Sequence, residues 1–147
     1  METKNQKIKI LLVDDDEMMR IYFRDIFWIH GGDNKYEIMM SPSLMDAEKK
    51  IQAKETKPNT IFLDVMMTVK GEDNSPHGQL DRTLSFIRKI KEDKDLSHIK
   101  IIIYSGQKEK SIKEEFDKLG VDGYLVKGEL MPKEVIAFTD KIHESNN

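Results

Sequence analysis

The alternation of short apolar runs with helix-like segments restricts the folds open to this chain more than any other feature of its sequence. Runs rich in Ile, Val, Leu, Met and aromatic residues occupy 8–13, 36–40, 60–63, 99–104 and 123–126. Near-continuous apolar runs of this length are typical of strands buried on both faces of a parallel sheet. The sequence therefore predicts an α/β fold in which strand and helix alternate five times.

The segments between these runs carry apolar residues at helical spacing. The positions in the second to fifth helical segments are Leu44, Ala47 and Ile51; Leu84, Ile87 and Ile90; Ile112, Phe116 and Leu119; and Val135, Phe138 and Ile142. Ser43 and Asp46 form a capping-box pattern at the start of the second helix, and Gly120 is a stop signal after the fourth. These patterns, with the segment described next, predict five helices.

The first helical segment, predicted over 16–30, is apolar over more than half of its surface and ends at Gly31. It includes Phe23, Phe27 and Trp28. We assign this apolar excess to the core. The alternative is a surface for a kinase or for a second copy of the chain.

Composition excludes several classes of protein. The length of 147 residues suits one domain, and the formal charge of −3 is scattered without a basic block, which argues against nucleic acid as a partner. The absence of cysteine excludes disulfides, thiolate metal sites and cysteine nucleophiles. No apolar run is long enough to span a membrane and no signal-peptide pattern is present, so we expect a cytoplasmic protein.

Polar residues occur where four of the apolar runs end. Asp14 and Asp15 follow the first run, Asp64 follows the third, Ser105 follows the fourth and Lys127 follows the fifth. In a doubly wound sheet, ligands bind outside the carboxyl ends of the strands, near the point where strand order reverses. With the flavodoxin-like order 2-1-3-4-5, these four strands are neighbours. The five side chains are therefore predicted to share one cleft.

The predicted cleft suits phosphoryl chemistry. Three carboxylates repel one another, which raises at least one pKa, and a hard divalent cation such as Mg²⁺ removes the repulsion. Asp64, on the middle strand, would be the carboxylate nucleophile, while Lys127 and Ser105 would contact phosphoryl oxygens. The simpler alternative for the aspartate triplet is that it caps the first helix, and Asp16 is the member that best fits a cap alone.

The strings LLVDDDE, TIFLDVMM, IIIYSG and GYLVKG, in this order and spacing, resemble the receiver domains of two-component response regulators. The resemblance covers about 7–142 and implies residue roles. Asp64 would be the phosphoacceptor, and Asp15 a direct metal ligand with Asp14 as its partner. The backbone carbonyl of Met66 would complete the Mg²⁺ site.

The resemblance also implies roles in switching and phosphate binding. Ser105 matches the hydroxyl that moves toward the phosphoryl group, and Tyr124 matches the aromatic residue whose rotamer follows it. Lys127 matches the lysine that contacts the phosphoryl group. The chain would then be a single-domain receiver of the chemotaxis-regulator type over 1–147, with a core of about 7–143 and no output domain.

The partners implied by the resemblance are a sensor histidine kinase or a phosphotransfer protein, and an output protein contacted through about 109–143. The receiver would be a monomer or a phosphorylation-linked dimer. It would catalyse only its own phosphorylation and dephosphorylation, so its status as an enzyme stays uncertain. The main alternative is a receiver-like interaction module that works without phosphorylation.

Two further alternatives fit less well. A flavodoxin-like cofactor protein would need a loop rich in Ser, Thr or Gly after the first strand, where this chain has aspartates. A metal-dependent phosphatase with an aspartate nucleophile would carry that nucleophile at the end of the first strand, and it would also need a cap and a longer chain.

The chain departs from the family pattern twice. Thr68 stands where the family has proline after the acceptor, and the matching glycine, Gly78, comes later than usual. The polar segment 68–78 is therefore predicted to be a longer loop that gates the site, contacts a partner, or is a tolerated surface insertion. Gly128 replaces the proline that usually follows the lysine. We expect a trans peptide bond there and a more mobile loop after strand five.

Overall fold

The computed structural model describes residues 6–32 and 35–144. The strands are β1 (Ile8–Val13), β2 (Tyr36–Ser41), β3 (Thr60–Leu63), β4 (Lys100–Ser105) and β5 (Gly123–Val126). The helices are α1 (Glu17–His30), α2 (Leu44–Gln52), α3 (Pro76–Glu92), α4 (Lys110–Lys118) and α5 (Pro132–Glu144).

The five strands form one parallel sheet in the order β2-β1-β3-β4-β5, which confirms the predicted topology. Every residue of the central strand β3 is buried. This burial explains the unbroken apolar run TIFL, since a strand covered on both faces has no solvent-facing positions.

Alternate residues of each strand face two separate cores, as the two-residue period of a strand requires. Leu11 and Val13 of β1 belong to the core on the side of α2, α3 and α4. Ile10 and Leu12 belong to the core on the side of α1 and α5. The sheet is therefore a middle layer packed on both faces, and the ends of its strands hold the side chains that follow them in fixed positions.

The prediction for α1 is right for its phenylalanines and wrong for its tryptophan. Phe23 and Phe27 are buried one turn apart and contact each other in the core. Trp28 is 83% exposed. The next residue along a helix points about 100° away, so Trp28 cannot share the buried face of Phe27.

The helix caps follow the sequence signals. Asp16 caps α1 by accepting a hydrogen bond from the Met18 backbone, and Ser43 caps α2 by accepting one from the Asp46 backbone. Gly120 has a φ of +77°, which is typical of a glycine at a helix end.

Within the described residues, no helix is both long and apolar enough to cross a membrane.

Several element boundaries differ from the prediction. β2 extends to Ser41, and β4 is displaced by one residue at each end. The predicted loop 68–78 is shorter than expected, because Ser75 caps α3 and Pro76 occupies its first turn. Proline is well suited to this position, since its missing N–H would have no partner in the helix.

Candidate functional site

The carboxyl ends of four strands bring the predicted polar residues to one edge of the sheet. Strand hydrogen bonding continues past the apolar runs: the Asp64 N–H donates to Val13 O at 3.0 Å, and the Lys127 N–H donates to Ser105 O at 2.8 Å. The backbone of these residues is thereby fixed by the same ladder that builds the sheet. Their side chains project from a rigid frame.

Three carboxylates form a tight cluster at this edge. Asp14, Asp15 and Asp64 each offer an oxygen, and these oxygens lie within 4.8 Å of one another. Asp14 is fully buried, Asp64 is 7% exposed, and Asp15 faces solvent. Hard oxygen donors grouped in this way fit a divalent cation such as Mg²⁺, with solvent reaching the site from the side of Asp15.

Lys127 connects two of these carboxylates. Its Nζ lies 2.6 Å from Asp14 Oδ2 and 3.6 Å from Asp64 Oδ2. Burying Asp14 without a partner would be very unfavourable, and the lysine supplies the compensating charge. The ammonium group also lies within reach of any group attached to Asp64.

Asp14 is held by its neighbours as well as by the lysine. Its Oδ1 accepts a hydrogen bond from the Asp16 N–H at 2.9 Å, and its carbonyl accepts one from Arg20 Nη1 at 2.8 Å. Asp16 itself caps α1, as predicted. In the aspartate triplet, Asp16 therefore caps the helix, while Asp14 and Asp15 belong to the carboxylate cluster.

The environment of Asp64 raises its pKa to about 6. Burial is the largest cause of this rise. The positive charge of Lys127 and the hydrogen bond from the Met66 N–H lower the pKa, whereas the negative charges of Asp14 and, least of all, Asp15 raise it. The sequence predicts that carboxylate repulsion raises a pKa in this cluster. The pKa of Asp64 is raised, but desolvation contributes more than repulsion.

Ser105 and Tyr124 are joined through the loop that follows β4. The buried Ser105 Oγ accepts a hydrogen bond from the Gln107 N–H at 3.2 Å, and the Tyr124 hydroxyl donates to Gln107 O at 2.8 Å. The Tyr124 ring also lies 6.1 Å from that of Phe116 in α4. One residue thus links the hydroxyl at the site to an aromatic residue that contacts α4.

Met66 is half-buried and follows Asp64 by two residues. Its N–H bonds to the Asp64 carboxylate. A metal-binding role for its carbonyl stays a prediction.

The backbone after Lys127 explains the missing proline. The peptide bonds of the described residues are all trans, as expected for Gly128. The φ of Gly128 is +85°, whereas proline is confined to about −65°. Proline therefore cannot occupy this position without changing the loop. Greater mobility of the loop stays a prediction.

Besides Arg20, described above, the sequence analysis missed two residues that contact the site or its surroundings. The Thr68 N–H donates to Asp15 Oδ2 at 3.2 Å, and the Thr68 hydroxyl lies 3.5 Å from the same atom. Arg82, on α3, donates to the carbonyl of Met67, the residue before Thr68. The signal in the sequence was Thr68 itself, because it has an N–H where the family pattern has proline.

Comparison with known families identifies the class to which this fold and this cluster belong. The sequence model of the response regulator receiver domain matches residues 10–138. The chain belongs to the response regulator receiver domain family. No curated protein sequence matches it.

Solved structures agree on the fold. The chemotaxis protein CheY4 of Vibrio cholerae aligns with a TM-score of 0.72 at 20% identity, over 93% of this chain and 99% of that chain. A response regulator from Thermotoga maritima aligns with a TM-score of 0.74 at 16% identity, over 95% of this chain and 99% of that chain. The Mn²⁺-bound form of the response regulator Rcp1 aligns with a TM-score of 0.66 at 20% identity, over 93% and 92%.

Proposed function

We propose that this receiver domain accepts a phosphoryl group on Asp64 from a histidine kinase or a phosphotransfer protein, with the help of Mg²⁺, and signals through protein contacts. One observation carries the proposal. Asp64 is the 7% exposed carboxylate at the end of the central strand, and it shares its cleft with two further carboxylates and the Lys127 ammonium. This arrangement suits a nucleophile that must meet a highly charged group.

The transfer step follows from these groups. An ionised Asp64 oxygen attacks phosphorus, the new O–P bond forms, and the N–P bond of a phosphohistidine breaks so that the imidazole leaves with the electron pair. With a pKa of about 6, Asp64 is mostly ionised at neutral pH. Lys127, 3.6 Å from Asp64 Oδ2, can pair with phosphoryl oxygens without leaving the cleft.

The carboxylates of Asp14, Asp15 and Asp64, with the carbonyl of Met66, would hold the Mg²⁺ ion. When bound, the cation supplies positive charge that offsets both the carboxylates and the phosphoryl oxygens. The open side at Asp15 leaves room for the water ligands that Mg²⁺ keeps.

The signal would pass from Ser105 to the surface formed by α4, β5 and α5. A phosphoryl group on Asp64 gives the Ser105 hydroxyl an acceptor for its proton, and rotation of the side chain toward that acceptor would draw Oγ away from the Gln107 N–H, which donates to it at 3.2 Å. Tyr124 bonds to the same residue, so its rotamer is coupled to the exchange. Phosphorylation would thus bias a two-state equilibrium of the face at about 109–143, which an output protein or a second copy reads.

The test is intact-mass measurement after incubation with acetyl phosphate, with and without Mg²⁺. We expect one added phosphoryl group that requires Mg²⁺ and is absent from Asp64→Asn. The exposed Asp95→Asn is the matched control and should be phosphorylated like the wild type. No adduct, together with no binding of beryllofluoride, would favour an interaction module that works without phosphorylation.

A further inference from the structure

One arginine on α3, Arg82, holds the segment 67–74, which leads away from the site. Arg82 Nη1 donates to Asp73 O at 2.6 Å, and Arg82 Nη2 donates to Met67 O at 3.1 Å and to Asn74 Oδ1 at 2.9 Å. The arginine side chain is 19% exposed. Its guanidinium therefore ties both ends of the segment to α3, and a lysine could not reproduce this forked donor geometry.

Asn74 closes the segment on itself. Its Oδ1 accepts from the Val69 N–H at 2.8 Å, and its Nδ2 donates to Val69 O at 3.0 Å. Gln79 of α3 donates to Asn74 O at 2.8 Å. Met67 and Val69 are thus both fixed, and the residue between them has little freedom to move.

That residue, Thr68, contacts the one exposed carboxylate of the cluster. Its N–H lies 3.2 Å from Asp15 Oδ2. Asp14 and Asp64 are buried and close to Lys127, whereas Asp15 faces solvent. The orientation of Asp15 therefore depends on the position of Thr68.

We propose that Arg82 is a positioning residue for the metal site: by fixing Thr68, it keeps the Asp15 carboxylate turned toward Asp14 and Asp64. The inference rests on the proposed function, because it assumes that these carboxylates bind a divalent cation. Loss of a group that orients a metal ligand typically weakens binding by about 10–100-fold. We expect the lower end, about tenfold, for Arg82→Ala, because Arg82 acts through one further residue.

The test is Mn²⁺ binding to the full chain, followed by the electron paramagnetic resonance signal of free Mn²⁺. Arg82→Ala should weaken binding by about tenfold, and Arg82→Lys should not restore it. Arg88→Ala is the matched control, since Arg88 is exposed on the same helix. It should bind like the wild type.

A double-mutant cycle separates positioning from general loosening of the fold. If Arg82 acts through Asp15, Arg82→Ala should have no further effect on Mn²⁺ affinity in an Asp15→Asn background. Should Arg82→Ala not fold, Asn74→Ala cuts the two bonds to Val69 and should weaken binding in the same Asp15-dependent way.

Three results would overturn the inference. The first is a folded Arg82→Ala that binds Mn²⁺ as tightly as the wild type. The second is an effect of Arg82→Ala on Mn²⁺ affinity that is equally large with Asp15 and with Asn at position 15. Either result refutes the positioning role of Arg82 but leaves the proposed function intact. A wild-type chain that binds no Mn²⁺ refutes the metal-dependent function, and this inference with it.

Discussion

Replacing Asp64 with asparagine should stabilise the fold at neutral and alkaline pH, even though it removes the proposed phosphoacceptor. The carboxylate is 7% exposed, and burial raises its pKa to about 6 in spite of Lys127 nearby. An ionised Asp64 therefore destabilises the folded state. The amide of asparagine has nearly the same shape and carries no charge, and Lys127 keeps its partner Asp14 at 2.6 Å.

The size of the effect follows from the pKa. A shift of Asp64 from 3.8 to about 6 corresponds to roughly 3 kcal/mol of destabilisation when the group is ionised. Burying the amide cancels part of the gain, so we expect Asp64→Asn to raise the free energy of unfolding by about 2 kcal/mol at pH 8.

The sign of the pH dependence is fixed by the same shift. An acid whose pKa is raised in the folded state destabilises it fully above the folded pKa. This destabilisation shrinks as the pH falls from about 6 toward 3.8 and disappears below that value. The advantage of Asp64→Asn should therefore be large at pH 8 and close to zero at pH 4.

Urea unfolding at pH 8 and pH 4 measures both quantities. Asp95→Asn, at an exposed position, controls for the loss of a negative charge and should change stability by less than about 0.5 kcal/mol. Added Mg²⁺ should stabilise the wild type more than Asp64→Asn, because only the wild type keeps all three carboxylates. If Asp64→Asn is less stable than the wild type at pH 8, or gains equally at both pH values, the argument from desolvation is wrong.

Three further predictions concern positions outside the cluster or at its edge. Trp28→Ala should change the free energy of unfolding by less than about 0.5 kcal/mol in urea, whereas Phe23→Ala should lower it by about 3–5 kcal/mol; equal losses would contradict the assignment of α1 faces. Gly128→Ala should lower it by about 1–2 kcal/mol, because its φ of +85° is strained for any residue with a Cβ; no loss would show that the loop adapts freely. Burial lowers the pKa of His143, whose Nε2 lies 2.6 Å from Thr60 Oγ1. Its neutral form is favoured in the fold, so stability should fall as the pH drops below about 6.5, and His143→Gln should reduce the fall in melting temperature between pH 7 and pH 5. An identical fall in the variant would exclude His143 as its cause.

The fold and the cluster could be predicted because both depend on local pattern. The buried run of β3 and the similar runs beside it indicated a parallel sheet, and the rule that parallel strands end at one edge brought Asp14, Asp64 and Lys127 together. The strand order 2-1-3-4-5 was the one long-range arrangement that had to be assumed, and the sheet has that order.

The errors and omissions have a different physical origin. The prediction placed Trp28 in the core. However, α1 has more apolar residues than one face can bury, and sequence alone does not show which of them face the sheet. The bond from Thr68 to Asp15 joins residues 53 positions apart, and the bond from Arg82 to Met67 spans 15. Such contacts depend on how a loop lies on its helix, which periodicity does not report.

Borohydride reduction after phosphorylation tests the central claim most directly. An aspartyl phosphate is reduced to homoserine, and peptide mass spectrometry locates that residue in the chain. We expect homoserine at position 64 only, after treatment with acetyl phosphate and Mg²⁺, and none when Mg²⁺ is left out. Homoserine at position 14 or 15, or at none of the three aspartates of the cluster, would contradict the assignment of Asp64 as the phosphoacceptor.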